Sequence, residues 1–187
     1  MKNLIGGLIL LFGWLAAPSA VQAWQTEDWR VVGDTNQAWN VEGERVTGLA
    51  TEQNQVSWLV LREDLFPPPA NFKFQLEFTP LQGADHNLVW NFIDEHNYYQ
   101  AHFNGGAVWV SRLIAGQEML SVAKNFTIER GQIYAIDLKQ ESERIMIAVD
   151  NQTVIDFTDW THNEQSHGSV GFKLAPGAII PVESRFD

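Results

Sequence analysis

The sequence contains no cysteine. No disulfide framework can brace the fold, and a lipoprotein anchor is excluded because no cysteine follows the apolar N-terminal run. Basic residues are scarce, with 12 Lys and Arg against 23 Asp and Glu. Setting Lys2 aside with the first 23 residues leaves 11 cations against 23 acids, a net charge of −12. Such a chain repels phosphate backbones and anionic membrane surfaces, so nucleic acid and membrane are poor partners. Neutral sugars or a cation suit it better. No long stretch of helical period follows residue 23, which excludes a helical bundle. Stability must come from a buried core, and a structural calcium is the other stabiliser open to an acidic chain.

The one apolar run lies at the start. Lys2, the run Leu4 to Ala17, and the small residues of Val21-Gln22-Ala23 form the pattern of a secretory signal cut before Trp24. The run is shorter than the ~20 residues that a membrane span needs. The expectation is a signal peptide over 1–23, a single domain over 24–187, and a periplasmic or secreted product.

Period-two alternation fills the rest. Phe72, Phe74, Leu76 and Phe78 alternate with Lys73, Gln75 and Glu77. Leu88, Trp90 and Phe92 alternate with Val89, Asn91 and Ile93, and Tyr99, Ala101 and Phe103 with Tyr98, Gln100 and His102. Further strands are expected at 38–42, 45–50, 56–62, 107–113, 118–123, 132–139, 144–150, 152–157, 168–174 and 182–186. Gly43-Glu44, Gly105-Gly106, Ala115-Gly116, Asp150-Asn151 and Pro176-Gly177 supply turn chemistry between them. Pro67-Pro68-Pro69 cannot donate to a ladder and marks a loop. Many short strands with one apolar face each predict an all-β, two-sheet antiparallel sandwich or a barrel.

The order of "FKFQLEFTP", "NLVWNFIDEHNYYQAHF", "GAVWVSRLIAGQEML", "IYAIDLKQESERIMIAVDNQTVIDFTD", "GSVGFKL" and "SRFD" resembles a concanavalin A-like lectin/glucanase jelly roll. It is most similar to the laminin-G-like group and the 3-keto-disaccharide hydrolase-like domain. The resemblance covers roughly residues 56–187, matched strand by strand. It implies a sandwich of two curved sheets whose concave face or edge loops bind polysaccharide, glycoconjugate or protein. Relatives continue past the "FD" element, so the expectation is a chain that runs on beyond Asp187, with a downstream catalytic domain as one expected neighbour.

Laminarinase-type glucanases of this fold carry E-x-D-x-x-E, which sets carboxylates on one strand face for attack and proton donation. No such motif occurs here. Glu63-Asp64 and Asp94-Glu95 are adjacent and would face opposite sides of a strand, while Glu141-Ser142-Glu143 falls in an expected turn. Enzyme activity is therefore the less favoured reading. Its version here is a glycoside hydrolase of the 3-keto-disaccharide hydrolase-like type, with Glu77 and Asn91 as the residues that the resemblance puts on matching strands.

Metal sites fare little better. Asp85-His86-Asn87 and Asp94-Glu95-His96-Asn97 flank one strand, whose six residues span about 20 Å, so the clusters cannot share an ion. The second reads as a hairpin turn. His162 and His167, with Asp159 and Glu164, read as a flexible polar loop. Calcium matches the oxygen-rich composition. The resemblance implies a site at an Asp near the last strand, which would be Asp187, with Gly33 and Asp34 as partners.

What remains is a surface. If Leu88, Trp90 and Phe92 point inward, Asn91 points outward; by the same parity so do Tyr98, Gln100, His102 and Trp109. An aromatic ring stacks on the apolar face of a pyranose while amide and imidazole groups bond its hydroxyls. The leading expectation is an exported, non-catalytic, lectin-like module. It binds a neutral polysaccharide or oligosaccharide on its concave face through Asn91, Tyr98, Gln100, His102 and Trp109. A structural or protein-interaction domain is the third reading.

Overall fold

Alternation becomes strand nearly everywhere it was expected. The computed structural model describes residues 26–33, 38–42, 45–49, 56–62, 71–80, 86–161, 168–175 and 179–185. After one turn of 3₁₀ helix at Thr26–Asp28 come β1 (Trp29–Gly33), β2 (Ala38–Glu42), β3 (Arg45–Leu49), β4 (Ser57–Leu61) and β5 (Asn71–Phe78). Then follow β6 (His86–Asp94), β7 (Asn97–Asn104), β8 (Ala107–Ile114), β9 (Gln117–Asn125) and β10 (Tyr134–Glu141). The series ends with β11 (Arg144–Val149), β12 (Gln152–Thr158), β13 (Ser169–Leu174) and β14 (Ile179–Arg185).

These form two seven-stranded sheets, β1-β4-β13-β6-β7-β8-β9 (sheet I) and β12-β11-β10-β5-β14-β3-β2 (sheet II). Every pairing is antiparallel. The result is an all-β jelly-roll sandwich, as the alternation and the ordered motifs imply. Among the described residues no helix is long and apolar enough to cross a membrane.

The period of two decides the core. Phe72, Phe74, Leu76 and Phe78 of β5 and Tyr134, Ile136 and Leu138 of β10 are buried from sheet II. Leu88 and Trp90 of β6, Tyr99, Ala101 and Phe103 of β7, and Val108 and Val110 of β8 meet them from sheet I. Ring contacts stitch the layers, with Phe78 and Phe103 centroids 5.5 Å apart and Phe74 and Phe172 6.5 Å apart. Each large side chain buried here contributes about 1.5–3 kcal/mol of transfer free energy, the main stabiliser of a chain without disulfides.

Turns close the hairpins at Gly105-Gly106, Ala115-Gly116 and Asp150-Asn151, while Gly43-Glu44, Pro67-Pro68-Pro69 and Pro176-Gly177 lie outside the described residues. Asp150 and Asn151 take φ of 49° and 64°, and Ala115 and Gly116 take 51° and 77°. Paired positive φ values are what a two-residue turn needs to match strand twist. The Asp94–Asn97 segment is a hairpin turn too: Asp94 Oδ1 accepts from the His96 N–H at 2.8 Å, and both carboxylate oxygens accept from Asn97 Nδ2. Burial opposes the charge on Asp94, but these hydrogen bonds and nearby His96 outweigh it and lower its pKa.

Candidate functional site

The outer face of sheet I is built from cross-strand rows. Register pairs Val32 with Trp58, Trp58 with Lys173, Lys173 with Asn87, Asn87 with His102, His102 with Trp109, and Trp109 with Ala123. Strands lie about 4.8 Å apart, so Trp58 to Trp109 spans about 19 Å along the row. His102 and Trp109 stack with centroids 4.3 Å apart and planes 9° from parallel. Trp109 therefore faces outward, half-buried, beside the imidazole.

A second row runs alongside, pairing Val89 with Gln100 and Gln100 with Ser111. Its polar groups are wired together. Gln100 Nε2 donates to Ser111 Oγ at 2.9 Å, His102 Nε2 lies 3.3 Å from the same oxygen, and Lys173 Nζ donates to Gln100 Oε1 at 2.9 Å. Lys173 Nζ also lies 5.7 Å from the Tyr98 ring centroid. Tyr98, Trp58 and Phe92 pack edge to face and tilted on this side, in a small cluster separate from the main core. Of the five residues expected to form a binding floor, Tyr98, Gln100, His102 and Trp109 share this face.

Asn91 does not. The β6 ladder slips between Trp90 and Asp94, and Asn91 takes φ of 48°. The bulge turns Phe92 outward and Asn91 inward, where its Nδ2 donates to Gln140 Oε1 at 3.2 Å. Trp90 Nε1 donates to the same oxygen at 3.1 Å. A cause lies just before β13: a Cβ on Gly168 would sit 2.4 Å from the Asn91 carbonyl carbon. The bulged backbone fits because glycine leaves that space open. Glu77 is exposed on the outer face of sheet II, so Glu77 and Asn91 lie on different layers and form no common site.

Three residues of the outer face lay outside the sequence expectation. Asn87 is 2% exposed, and neither its Nδ2 nor its Oδ1 meets a hydrogen-bond partner. Trp58 Nε1 and Ser169 Oγ on the same face are likewise unsatisfied. Burying such groups without partners costs about 1–3 kcal/mol each. Four polar atoms without a protein partner thus gather on one sheet face.

A second polar cluster fills the sandwich near the β6–β7 turn. Arg112 follows Val108 and Val110 in parity and points inward. Its Nη1 donates to Asp159 Oδ2 at 3.1 Å, Thr161 O at 2.9 Å and Thr161 Oγ1 at 3.1 Å. Tyr99 O–H donates to Asp159 Oδ2 at 2.6 Å, and its ring lies 5.1 Å under the guanidinium. Burial penalises the Asp159 charge, yet hydrogen bonds from Thr161 and Tyr99 and the Arg112 cation overcome it and hold its pKa below the carboxylate range. Burial, with the bond to Asp159, drives the Tyr99 phenol well above its ordinary value. Asp159 is thus a buried anchor rather than part of a solvated loop. The inward parity of Arg112 was the sequence signal, since a buried arginine demands an acid.

Gly33 ends β1 with φ of 84°, backed by the Val56 carbonyl and the Trp58 ring. Asp34 and Asp187 lie outside the described residues, as do Glu63, Asp64, Asp85, His162, Glu164 and His167. Among the described residues no three His, Cys, Asp or Glu side chains gather as a metal site would require.

The architecture is an antiparallel jelly-roll sandwich with an aromatic and amide row on one outer face. Solved structures share that sandwich. A carbohydrate-binding module, CBM66 from Bacillus subtilis, superposes with a TM-score of 0.67 at 18% identity over 84% of this chain and 96% of that one. Sheep galectin-11 gives 0.52 at 12% identity over 64% and 92%. A sialidase gives 0.62 at 11% identity over 85% of this chain but 16% of its own length. At these identities the likeness is one of fold. No protein-family model matches the chain, and no curated protein matches it in sequence.

Proposed function

We propose that the chain is an exported, non-catalytic, lectin-like module that binds a neutral glycan on the outer face of sheet I. The observation that carries this reading is the row Lys173–Asn87–His102–Trp109, where an amide with both polar atoms unmet lies beside a stacked aromatic pair. Trp109 offers a ring for the C–H face of a pyranose, and the Gln100, Ser111, His102 and Lys173 network offers fixed polar groups beside it. The named neighbours, a carbohydrate-binding module and a galectin, support the same ligand class. Within that class, the ordered strand motifs keep the laminin-G-like and 3-keto-disaccharide hydrolase-like groups as the nearest resemblance. Export rests on the Lys2, Leu4–Ala17 and Val21–Ala23 pattern.

Screening the chain from Trp24 onward on an array of neutral and acidic glycans tests the reading. Retention of neutral glycans that vanishes in Trp109→Ala, with the circular dichroism unchanged, is the expected result. Failure of the unmodified chain to retain any neutral glycan, or undiminished retention by the variant, would overturn it.

A further inference from the structure

A pocket of about 170 Å³ opens at the turn end of sheet I, lined by Asn91, Ile93, Asn97, Tyr98, Tyr99, Arg112, Leu113 and Ile114. Its volume lies below the range of about 300–1,000 Å³ usual for drug-sized ligands and suits one small ring. The site is distinct from the Trp109 row, though Tyr98 borders both.

Arg112 is the informative residue. Its exposure is only 7%, yet every hydrogen bond it makes leaves from Nη1. Nε and Nη2 meet no acceptor among the described residues, and neither counts among the fully buried unmet atoms. These two N–H groups lie on one edge of the guanidinium and point in parallel. Asp159, Thr161 and the Tyr99 ring fix that edge in place by holding the opposite side. Asn91 adds an acceptor: its Nδ2 is engaged by Gln140, while its Oδ1 accepts from no group among the described residues.

Two parallel donors match either a carboxylate or two oxygens on neighbouring carbons. Charge decides between them. The Arg112 cation is already neutralised by Asp159 at 3.1 Å, Asp94 and Glu95 stand at the adjacent turn, and the whole chain is acidic. A carboxylate would enter an uncompensated negative field, whereas hydroxyls would not. We infer that this pocket binds one neutral sugar ring through a vicinal diol, with Arg112 Nε–H and Nη2–H donating to the two hydroxyl oxygens. Asn91 Oδ1 accepts a hydroxyl proton, and Ile93, Leu113 and Ile114 flank the ring. The Asn91 bulge gains a purpose on this reading, because it brings the amide inward beside the guanidinium. The inference rests on the carbohydrate-binding reading for its ligand class but not for its location.

The test follows the Arg112 Nε–H resonance by two-dimensional NMR during titration with the methyl glycosides of glucose, galactose and mannose. The expected result is a saturable shift with at least one of them, and an affinity about tenfold or more lower for analogues in which the two ring hydroxyls of the diol are replaced by hydrogen, the loss due to two charge-assisted hydrogen bonds. Leu113→Trp, which fills the mouth and leaves the Arg112–Asp159 pair intact, abolishes the shift. Trp109→Ala leaves it unchanged. No shift with any glycoside, an undiminished response to the deoxy analogues, or a stronger response to acetate or glucuronate overturns the diol assignment. A saturable Arg112 shift in a chain that fails the glycan array would sustain the pocket while sinking the sheet-face reading. The converse pattern would sink the pocket alone.

Discussion

The two sheets have equal strand number and the same inward chemistry, but their outer faces differ. Sheet II turns Lys73, Gln75, Glu77, Asp137, Lys139 and Glu141 outward, and Lys139 pairs with Glu141. Lys73 meets Asp137 at 3.7 Å, Gln75 donates to the same carboxylate, and Arg144 and Asp156 form a two-pronged pair at 2.8 and 2.9 Å. That surface is solvated and satisfied. Sheet I turns Trp58, Val89, Asn87, Gln100, His102, Trp109 and Ser111 outward, mostly buried and in part without protein partners, with the Lys173 cation bonded to Gln100 among them. A face kept for water has charges, cheap to solvate and cheap to lose. The proposed glycan-binding face instead has fixed amides and rings, and its buried polar atoms without protein partners carry a stability cost.

The largest effect expected from that contrast concerns ion pairs. Asp159→Ala strips the buried partner from Arg112 and unseats the Tyr99 hydroxyl, and a loss of about 3–5 kcal/mol is expected in urea melts. Should Asp159→Ala unfold at the same urea midpoint as the unmodified chain, the cluster is not the anchor described above.

The same cluster sets the pH dependence. Asp159 has a folded pKa below its ordinary 3.8, so its contribution is present above that value and is lost as pH falls through the folded pKa. Tyr99 has a folded pKa raised above its ordinary 10.0, so its contribution is present below that value and is lost as pH rises past it. Stability should hold level between those limits and decline outside both, with the alkaline decline reduced in Tyr99→Phe. An alkaline limb that persists in full in Tyr99→Phe would assign it to another group.

Asn87→Leu puts the cost of the sheet I face in numbers. Replacing an unmet buried amide by an apolar group of similar size should stabilise the fold by about 1 kcal/mol while glycan retention falls. Destabilisation with retained binding would mean that Asn87 serves the fold and not the ligand.

Thirteen of the fourteen strands were legible from alternation and turn chemistry alone. β1 escaped because "WRVVG" breaks period two, with Val31 exposed and Val32 half-buried in succession. The sheet I face was legible as far as Tyr98, Gln100, His102 and Trp109, since parity propagates along a regular strand. It failed at Asn91, where the bulge fits against Gly168, a residue just before β13 that no local pattern connects to it. Asn87 and Lys173 were hidden differently: their place in the row depends on β13 pairing with β6, a long-range registration absent from either segment. Arg112 was readable by parity but passed over beside the more conspicuous Trp109.

The smallest effects belong to sheet II, and their smallness is the sharpest control. Asp156→Ala removes an exposed pair in which side-chain exposures are 51% for Arg144 and 41% for Asp156. The bond to Arg144 lowers the Asp156 pKa against a small burial penalty, but solvent screens that pair and each partner remains hydrated when the other is gone. The melting temperature should barely move, and less still in high salt. Glu77→Gln, on the same face, should leave both stability and glycan retention unchanged, because no part of the sheet I row touches it. Loss of glycan retention in Glu77→Gln would break the comparison at its root: the ligand would then lie on the charged face, and the unmet amides of sheet I would need another cause.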